Sequence, residues 1–202
     1  MGRSLRSNGV RTVCVYCGSS VGSRDEYTQA ARDLGRLLAS RGLRTVYGAG
    51  NIGLMGVLAD AALEAGGEVI GVIPEALVER ELAHNGVTDL RIVHSMHERK
   101  ALMADLSDAF IALPGGFGTF EELCEMLTWL QLGIHQKPCG LLNVAGYYDP
   151  LITMFDHATE ERFLRPQHRN LLQVETDPAR LLDRLAATHP PETHKWLDRD
   201  ER

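Results

Sequence analysis

Short apolar segments alternate with helical patterns along this chain, and the alternation constrains the fold more than any other feature. Several of the segments are apolar on both faces, which is typical of strands in a parallel sheet covered by helices on both sides. The sequence therefore predicts an α/β fold, doubly wound and Rossmann-like, with a mostly parallel sheet of about seven strands flanked by helices. The predicted strands span residues 13–16, 44–47, 68–73, 91–94, 109–113, 139–143 and 171–174.

The helices between these segments have recognisable starts. Residues 25–40 repeat apolar side chains at helical spacing, and Gly42 follows as a C-terminal stop. Asp177 precedes Pro178, which is typical of an N-cap followed by proline in the first turn. Three further segments match the capping box: Ser23 to Glu26, Ser95 to Glu98 and Thr119 to Glu122.

Length and charge narrow the class of protein. We expect 202 residues to form a single domain over residues 1–202, with residues 1–10 and 189–202 as loosely ordered tails. The formal net charge of −6 provides no general field for a nucleic acid, and no apolar run approaches the roughly 20 residues that span a bilayer. Because the first residues also lack the apolar region of a secretory leader, we expect a cytoplasmic protein without nucleic-acid or membrane partners.

Cys14 and Cys17 form a C-x-x-C pair within a strand-like run. A redox pair is expected at a helix N-terminus instead, and no second pair of ligands follows at the spacing of a zinc site. His94 and His97 also lack the His-Glu-x-x-His pattern. We therefore expect neither a redox centre nor a metal site.

Glycines are concentrated where predicted strands turn into helices. In an open parallel sheet, ligands bind beyond the carboxyl ends of the strands, so these loops are predicted to converge on one crevice. The four loops contain Cys17-Gly18-Ser19-Ser20, Tyr47-Gly48-Ala49-Gly50, Gly71-Val72-Ile73-Pro74 and Pro114-Gly115-Gly116-Phe117-Gly118-Thr119.

The glycines at positions 48, 50 and 53 follow a strand and precede a helix, which fits the dinucleotide fingerprint. The acidic residue expected about 20 residues later falls near Glu68, which opens the next strand instead of closing it. An NAD-dependent enzyme is therefore one hypothesis, and a tight turn with close helix packing is the other.

The loop from Pro114 to Thr119 predicts an anion site. Its glycines let backbone N–H groups approach an anion, and a helix predicted to begin near Thr119 points its positive end at the same place. No Gly-Lys-Ser/Thr follows, so the loop is not a P-loop of the nucleoside triphosphatases. Glu122 either completes a capping box or does chemistry, and the crowding of Glu121 and Glu125 in the same turns favours chemistry.

Arg99 and Lys100 lie at the start of another predicted helix, after the strand at 91–94. Cations are unfavourable at a helix N-terminus unless an anion is bound there. We therefore interpret both side chains as pointing into the crevice.

A paired signature in this chain resembles the LOG family, cytokinin riboside 5′-monophosphate phosphoribohydrolases long mislabelled as lysine decarboxylases. It consists of Ser95-Met96-His97-Glu98-Arg99-Lys100 and then Pro114-Gly115-Gly116-Phe117-Gly118-Thr119-Phe120-Glu121-Glu122. The similarity extends over residues 13–172. One departure is visible, because the family usually has Tyr-Gly-Gly-Gly where this chain has Ala49, which we expect to keep a negative φ.

The resemblance implies that Arg99 and Glu122 are the catalytic pair. It also implies a homodimer with the site close to the subunit contact, and a larger set of residues that contact the nucleotide. These are Glu81, Lys100, Gly115, Gly116, Phe117, Gly118, Thr119, Glu121, Gly18, Ser19 and Thr128.

The implied reaction hydrolyses the N-glycosidic bond of a cytokinin riboside 5′-monophosphate or of AMP, without a cofactor, and releases the free base and ribose 5-phosphate. In this hypothesis Glu122 stabilises the ribosyl cation and orients or deprotonates water. Arg99 contacts ribose or phosphate or assists departure of the base, and the sequence leaves these roles open.

Two further alternatives come from other classes of protein. A nucleotide or molybdenum-cofactor carrier would use the same crevice without turnover, and the presence of both Arg99 and Glu122 argues against it. A pyridoxal-phosphate lysine decarboxylase needs a Schiff-base lysine, and the candidates are Lys100, Lys137 and Lys195.

Overall fold

The computed structural model describes residues 9–78 and 83–188. Within them, strands and helices alternate. The strands are β1 (Thr12–Tyr16), β2 (Arg44–Tyr47), β3 (Val69–Pro74), β4 (Asp89–Val93), β5 (Ala109–Ala112), β6 (Cys139–Leu142) and β7 (Leu172–Glu175). The helices are α1 (Asp25–Ser40), α2 (Gly53–Glu64), α3 (Glu75–Val78), α4 (Met96–Leu106), α5 (Phe117–Gln131), α6 (Asp149–Glu160), α7 (Pro166–Arg169) and α8 (Pro178–Ala187), and a 3₁₀ turn covers Val144–Gly146.

The strands form one seven-stranded parallel sheet in the order β4-β3-β2-β1-β5-β6-β7. The predicted doubly wound α/β fold is confirmed. Strands β1 to β4 extend the sheet in one direction, and β5 returns to the other side of β1. The order therefore reverses between β1 and β5, and the crevice for a ligand is expected above the carboxyl ends of these two strands.

Alternate residues of β1 face the two layers of the core. Val13 and Val15 pack with α1, α2 and α8 on one side of the sheet, whereas Cys14 and Tyr16 pack with α4 and α5 on the other. All four side chains are buried, as the two-sided apolar pattern of the strand predicts. Helices α4 and α5, which carry the catalytic candidates, therefore share one face of the sheet.

Two of the four predicted helix starts are confirmed. The Ser95 hydroxyl accepts a hydrogen bond from the Glu98 N–H at 3.1 Å, and Asp177 accepts one from the Arg180 N–H at 2.8 Å. The capping box at Ser23 is wrong, because α1 begins at Asp25 with Arg24 as its N-cap. Two carboxylates in the first turn of α1 complement the positive end of its dipole instead.

The capping box at Thr119 is also wrong. Helix α5 begins at Phe117, with Gly116 in an extended conformation as its N-cap. Thr119 is then the third helical residue, and Glu122 lies a turn too far into the helix to cap it. The structure therefore removes the capping explanation for the Glu122 carboxylate.

Three predictions from the sequence concern residues outside the described ranges. Glu81 and residues 189–202 lie outside the described residues, as do residues 1–8 of the predicted N-terminal tail. No described helix has both the length and the apolar character needed to cross a membrane.

Candidate functional site

A cavity of about 290 Å³ opens where the order of the sheet reverses. It is lined by the loops after β1, β5 and β6 and by the start of α2. The lining residues are Gly18, Ser19, Ser20, Val21, Gly22, Tyr27, Leu54, Pro114, Gly115, Gly116 and Tyr147. The convergence of the glycine-rich loops after β1 and β5 is thus as predicted.

The loop before α5 combines tight packing with an open helix end. A Cβ on Gly115 would lie 2.1 Å from Thr119 Oγ1 and 2.9 Å from the Gly18 nitrogen, so only glycine fits there. A Cβ on Gly116 or Gly118 would meet no atom within 4 Å. Since Gly116 caps α5 without a side chain, no side-chain cap occupies the first N–H groups of this helix, which is the arrangement that can bind a phosphate.

The N-terminus of α2 is closed, in contrast to that of α5. The Gly18 carbonyl accepts hydrogen bonds from the N–H groups of Leu54, at 3.0 Å, and Met55, at 3.4 Å. A Cβ on Gly53 would lie 2.2 Å from the Ser19 carbonyl carbon. The position that a dinucleotide pyrophosphate takes at this motif is therefore filled by the chain itself, and the glycines serve a tight turn with close helix packing.

Ala49 adopts φ 59°, so the expectation of a negative φ is wrong. The residue is fully buried, and its carbonyl accepts a hydrogen bond from the His84 N–H at 2.9 Å. The left-handed conformation costs alanine roughly 1–2 kcal/mol. Where the family usually has glycine, this chain therefore keeps a glycine-like backbone conformation, and the Ala49 methyl group packs in the core.

Arg99 projects from the first turn of α4 into the interior. It is 5% exposed, and its Nη2 donates to the Gly48 carbonyl at 2.8 Å. A Cβ on Gly48 would lie 2.0 Å from that nitrogen, so the guanidinium occupies the space of a missing side chain. The loop after β2 thus determines where the Arg99 charge lies.

Glu122 lies half-buried on α5, the helix that packs on the same face of the sheet as Cys14 and Tyr16 of β1. Burial raises the pKa of the Cys17 thiol, and the Glu122 charge raises it further. Burial likewise raises the pKa of Cys14, where the Glu122 charge acts in the same direction and the Arg99 charge opposes it. The charges of both candidates therefore influence Cys14 on β1, and both residues lie on helices that pack on one face of the sheet.

Lys100 joins α4 to α5 through two carboxylates. Its Nζ donates to Glu121 and, at 3.0 Å, to Glu125. Burial alone would lower the pKa of Lys100, but the hydrogen bonds to the two glutamates outweigh it and raise the pKa. The ammonium group is thus kept charged, and α4 and α5 are tied together next to Arg99 and Glu122.

Several of the predicted site residues lie together. Gly18, Ser19, Gly115 and Gly116 line the cavity, and Lys100 on α4 contacts Glu121 on α5. Phe117, in the first turn of α5, is 92% exposed. Thr128 lies apart, on the wall of a separate cavity of about 150 Å³ between α5, α6 and α7.

Sequence reasoning missed Tyr147 and the ion pair of Glu125. Tyr147 lines the cavity, and its hydroxyl donates to the Gly115 carbonyl at 2.5 Å. It follows β6, the strand next to β5, and the two tyrosines after that strand were the available signal.

Among the described residues, no group of three or more His, Cys, Asp or Glu side chains is placed to hold a metal ion.

The C-x-x-C pair does not form a redox centre. Cys14 and Cys17 are free thiols on opposite faces of the sheet, and both are buried. Burial raises the pKa of each thiol, which disfavours the reactive thiolate.

This fold and crevice define a doubly wound α/β protein with a cavity at its switch point, the place where proteins of this class bind ligands. A family model described as "Possible lysine decarboxylase" matches residues 55–185. The chain is 50% identical over 180 residues to a probable cytokinin riboside 5′-monophosphate phosphoribohydrolase of Oryza sativa subsp. japonica, covering 89% of this chain and 74% of that protein. It is 49% identical over 189 residues to such a phosphoribohydrolase of Arabidopsis thaliana, covering 94% and 88%.

The chain belongs to this LOG family of cytokinin riboside 5′-monophosphate phosphoribohydrolases. Among solved structures, a molybdenum cofactor carrier protein from Chlamydomonas reinhardtii matches with a TM-score of 0.66 and 23% identity, covering 88% of this chain and 98% of that one. A DNA processing protein A from Helicobacter pylori matches with a TM-score of 0.54 and 16% identity, covering 93% and 86%. At such identities the likeness concerns the fold alone.

The family description "Possible lysine decarboxylase" finds no support in the two described lysines. A Schiff-base lysine needs a neutral amine. Lys100 is instead held charged by Glu121 and Glu125, and Lys137 Nζ donates to the Ala104 carbonyl at 2.7 Å, away from the cavity. Lys195 lies outside the described residues.

Proposed function

We propose that this protein hydrolyses the N-glycosidic bond of cytokinin riboside 5′-monophosphates and of AMP, releasing the free base and ribose 5-phosphate. One observation carries the proposal: a buried arginine from α4 and a half-buried glutamate from α5 lie on neighbouring helices that Lys100 joins, beside a helix N-terminus without a side-chain cap. The names of the curated relatives describe the same reaction on cytokinin riboside 5′-monophosphates.

In this mechanism the 5′-phosphate binds to the N–H groups at the start of α5, next to Gly115 and Gly116. The phosphate is remote from the bond that breaks, so its binding energy serves to position the ribose. Removal of the phosphate should therefore lower turnover as well as affinity.

Glu122 acts on the ribose. As the bond from C1′ to the base nitrogen breaks, positive charge develops on the sugar, and a carboxylate beside it stabilises that charge. The same carboxylate orients the attacking water and accepts its proton as the water oxygen bonds to C1′. The structural support is that Glu122 is half-buried and no longer explained as a helix cap.

Arg99 supplies the positive charge. Its guanidinium is buried and anchored by the Gly48 carbonyl, so it is already oriented before the substrate arrives. We propose that it donates hydrogen bonds to the ribosyl phosphate and assists departure of the base, whose nitrogen takes up the proton that Glu122 accepts from the attacking water.

The test is to incubate the purified protein with AMP and with isopentenyladenosine 5′-monophosphate and to measure the free base by chromatography. We expect Glu122→Ala and Arg99→Ala each to lower kcat by roughly 100-fold or more. Glu64→Ala is the matched control, because Glu64 is an exposed carboxylate on α2, paired only loosely with Arg36 at 4.0 Å. Folded wild-type protein that retains an unaltered nucleotide and releases no base would contradict hydrolysis and favour a carrier.

We also propose that the protein is a homodimer. The support is a set of exposed apolar side chains on α6 and in the segments that follow α5 and α6: Met154, Leu132, Ile134 and Phe163. Sedimentation of the wild type and of Phe163→Ser tests this, and a monomeric wild type at micromolar concentration would contradict it.

A further inference from the structure

The carbonyl groups of three consecutive residues before α5 are each held by a hydrogen bond from another element. The pairs are Tyr148 Oη to the Leu113 carbonyl at 2.6 Å, Gly18 N to the Pro114 carbonyl at 3.0 Å, and Tyr147 Oη to the Gly115 carbonyl at 2.5 Å. Two of the three donors are adjacent tyrosines that follow β6. The backbone of the anion loop, residues 113–116, is therefore oriented by groups from outside the loop.

Orientation of a carbonyl also orients the next N–H group. In a trans peptide the C=O and N–H bonds point in opposite directions, and none of the described peptide bonds is cis. The hydrogen bond from Tyr147 to the Gly115 carbonyl thus directs the N–H of Gly116 the opposite way within the peptide plane, away from the Tyr147 hydroxyl. Gly116 is the N-cap of α5, where that N–H is one of the donors available to an anion.

The Tyr147 ring is itself held in place. It follows a turn in which Ala145 and Gly146 have φ values of 51° and 72°. Its ring packs edge-on against Tyr27, with 5.6 Å between the ring centroids. The ring and the turn determine the position of the hydroxyl, and the hydroxyl determines the orientation of the peptide between Gly115 and Gly116.

We propose that Tyr147 is a positioning residue that preorganises the anion loop for the 5′-phosphate of the substrate. This inference rests on the proposed function, and specifically on phosphate binding at the start of α5. Without the hydroxyl, the peptide between Gly115 and Gly116 is free to rotate. Its N–H must then be ordered during binding, and that entropic cost weakens affinity for the phosphate alone.

The test uses the two reaction products, because neither is consumed during a binding measurement. In Tyr147→Phe we expect the Kd of ribose 5-phosphate to rise about tenfold, the size expected from the loss of one hydrogen bond, while the Kd of adenine stays unchanged. The KM for AMP should rise similarly, with kcat changed less. Ser40→Ala is the control, since the Ser40 hydroxyl also donates to a backbone carbonyl, that of Leu37 at 2.9 Å, but lies at the C-terminal end of α1, away from the cavity, and it should change neither Kd.

Gly116→Ala separates this inference from the proposed function. Its Cβ has free space in the protein, so the variant folds, but the methyl group lies where an anion approaches. Weaker ribose 5-phosphate binding in both variants supports the role of Tyr147. If Gly116→Ala weakens binding and Tyr147→Phe does not, the phosphate site stands and the role of Tyr147 is overturned. If neither variant weakens it, the phosphate binds elsewhere and both proposals fail.

Discussion

Gly48 is the residue on which the position of the Arg99 guanidinium depends. The spacing of its neighbours fits a dinucleotide motif, yet its function is to leave room for an arginine that is 51 residues away in the chain. A side chain of any size at this position competes with Nη2 for the same space.

We therefore expect the methyl group of Gly48→Ala to displace the Arg99 guanidinium and to lower kcat by roughly 100-fold. The effect on the free energy of unfolding should be smaller. Steady-state kinetics and thermal unfolding measure the two effects. Gly66→Ala is the control, because Gly66 has φ 79° but no neighbour within 4 Å. It should cost about 1 kcal/mol of stability and leave kcat unchanged. Equal activity in the two variants would contradict this account of Gly48.

Ala49 and Gly71 form a coupled pair. A Cβ on Gly71 would lie 2.7 Å from the Ala49 Cβ. We expect Gly71→Ala to destabilise the protein by about 1–3 kcal/mol through overpacking. Most of that loss should disappear in the Ala49→Gly background, where the opposing methyl group is absent. A double-mutant cycle by urea denaturation measures the coupling, and additive effects would refute it.

At the scale of elements, α4 and α5 carry the chemistry and differ in how they begin. Helix α4 has a complete cap, because the Glu98 carboxylate also accepts a hydrogen bond from the His94 N–H at 2.8 Å. Helix α5 begins at a glycine without a side-chain cap. The first helix is stabilised at its start, whereas the second keeps its N–H groups available to a ligand.

Removal of a cap tests this division of roles. Ser95→Ala and Asp177→Ala each delete one side-chain cap, on α4 and α8 respectively, and each should cost about 1 kcal/mol. Only Ser95→Ala should also lower kcat, since α4 orients Arg99 and α8 lies on the opposite face of the sheet. Comparison of unfolding free energies with kcat separates the effects, and loss of kcat in both variants would show that stability alone controls activity.

At the scale of the whole molecule, His135 links stability to pH. It contacts Phe110, with 5.3 Å between ring centroids, and burial followed by the Lys137 charge lowers its pKa to about 4. The unfolded chain has a histidine pKa of about 6.5. As pH falls from about 6.5 to about 4, the unfolded state takes up a proton that the folded state refuses, so stability is lost across this window.

The replacement His135→Gln removes that titration. Between pH 7 and pH 4.5, we expect the unfolding free energy of the wild type to fall by on the order of 1–2 kcal/mol more than that of the variant. This figure is reduced for solvent screening, because the ring is partly exposed. Urea denaturation at both pH values measures the difference. A constant difference between the two proteins across the window would contradict a buried neutral His135.

The fold class, the alternation of strands and helices along the chain and the glycine-rich loop that leads into α5 were predictable from the sequence alone. These follow from local signals, namely two-sided apolar segments and glycines at strand ends. The same local signals were insufficient at Thr119, where a capping motif lies two residues inside the helix, and at Ala49, where core packing favours a positive φ.

Only the tertiary structure decided which glycine loop is open to a ligand and which is closed. The Gly18 carbonyl closes the start of α2, the Gly48 carbonyl holds Arg99, and the Tyr147 hydroxyl orients Gly115. Each contact joins residues more than 30 positions apart in the chain. Local periodicity carries no information about such pairs, because the order in which the strands assemble brings them together.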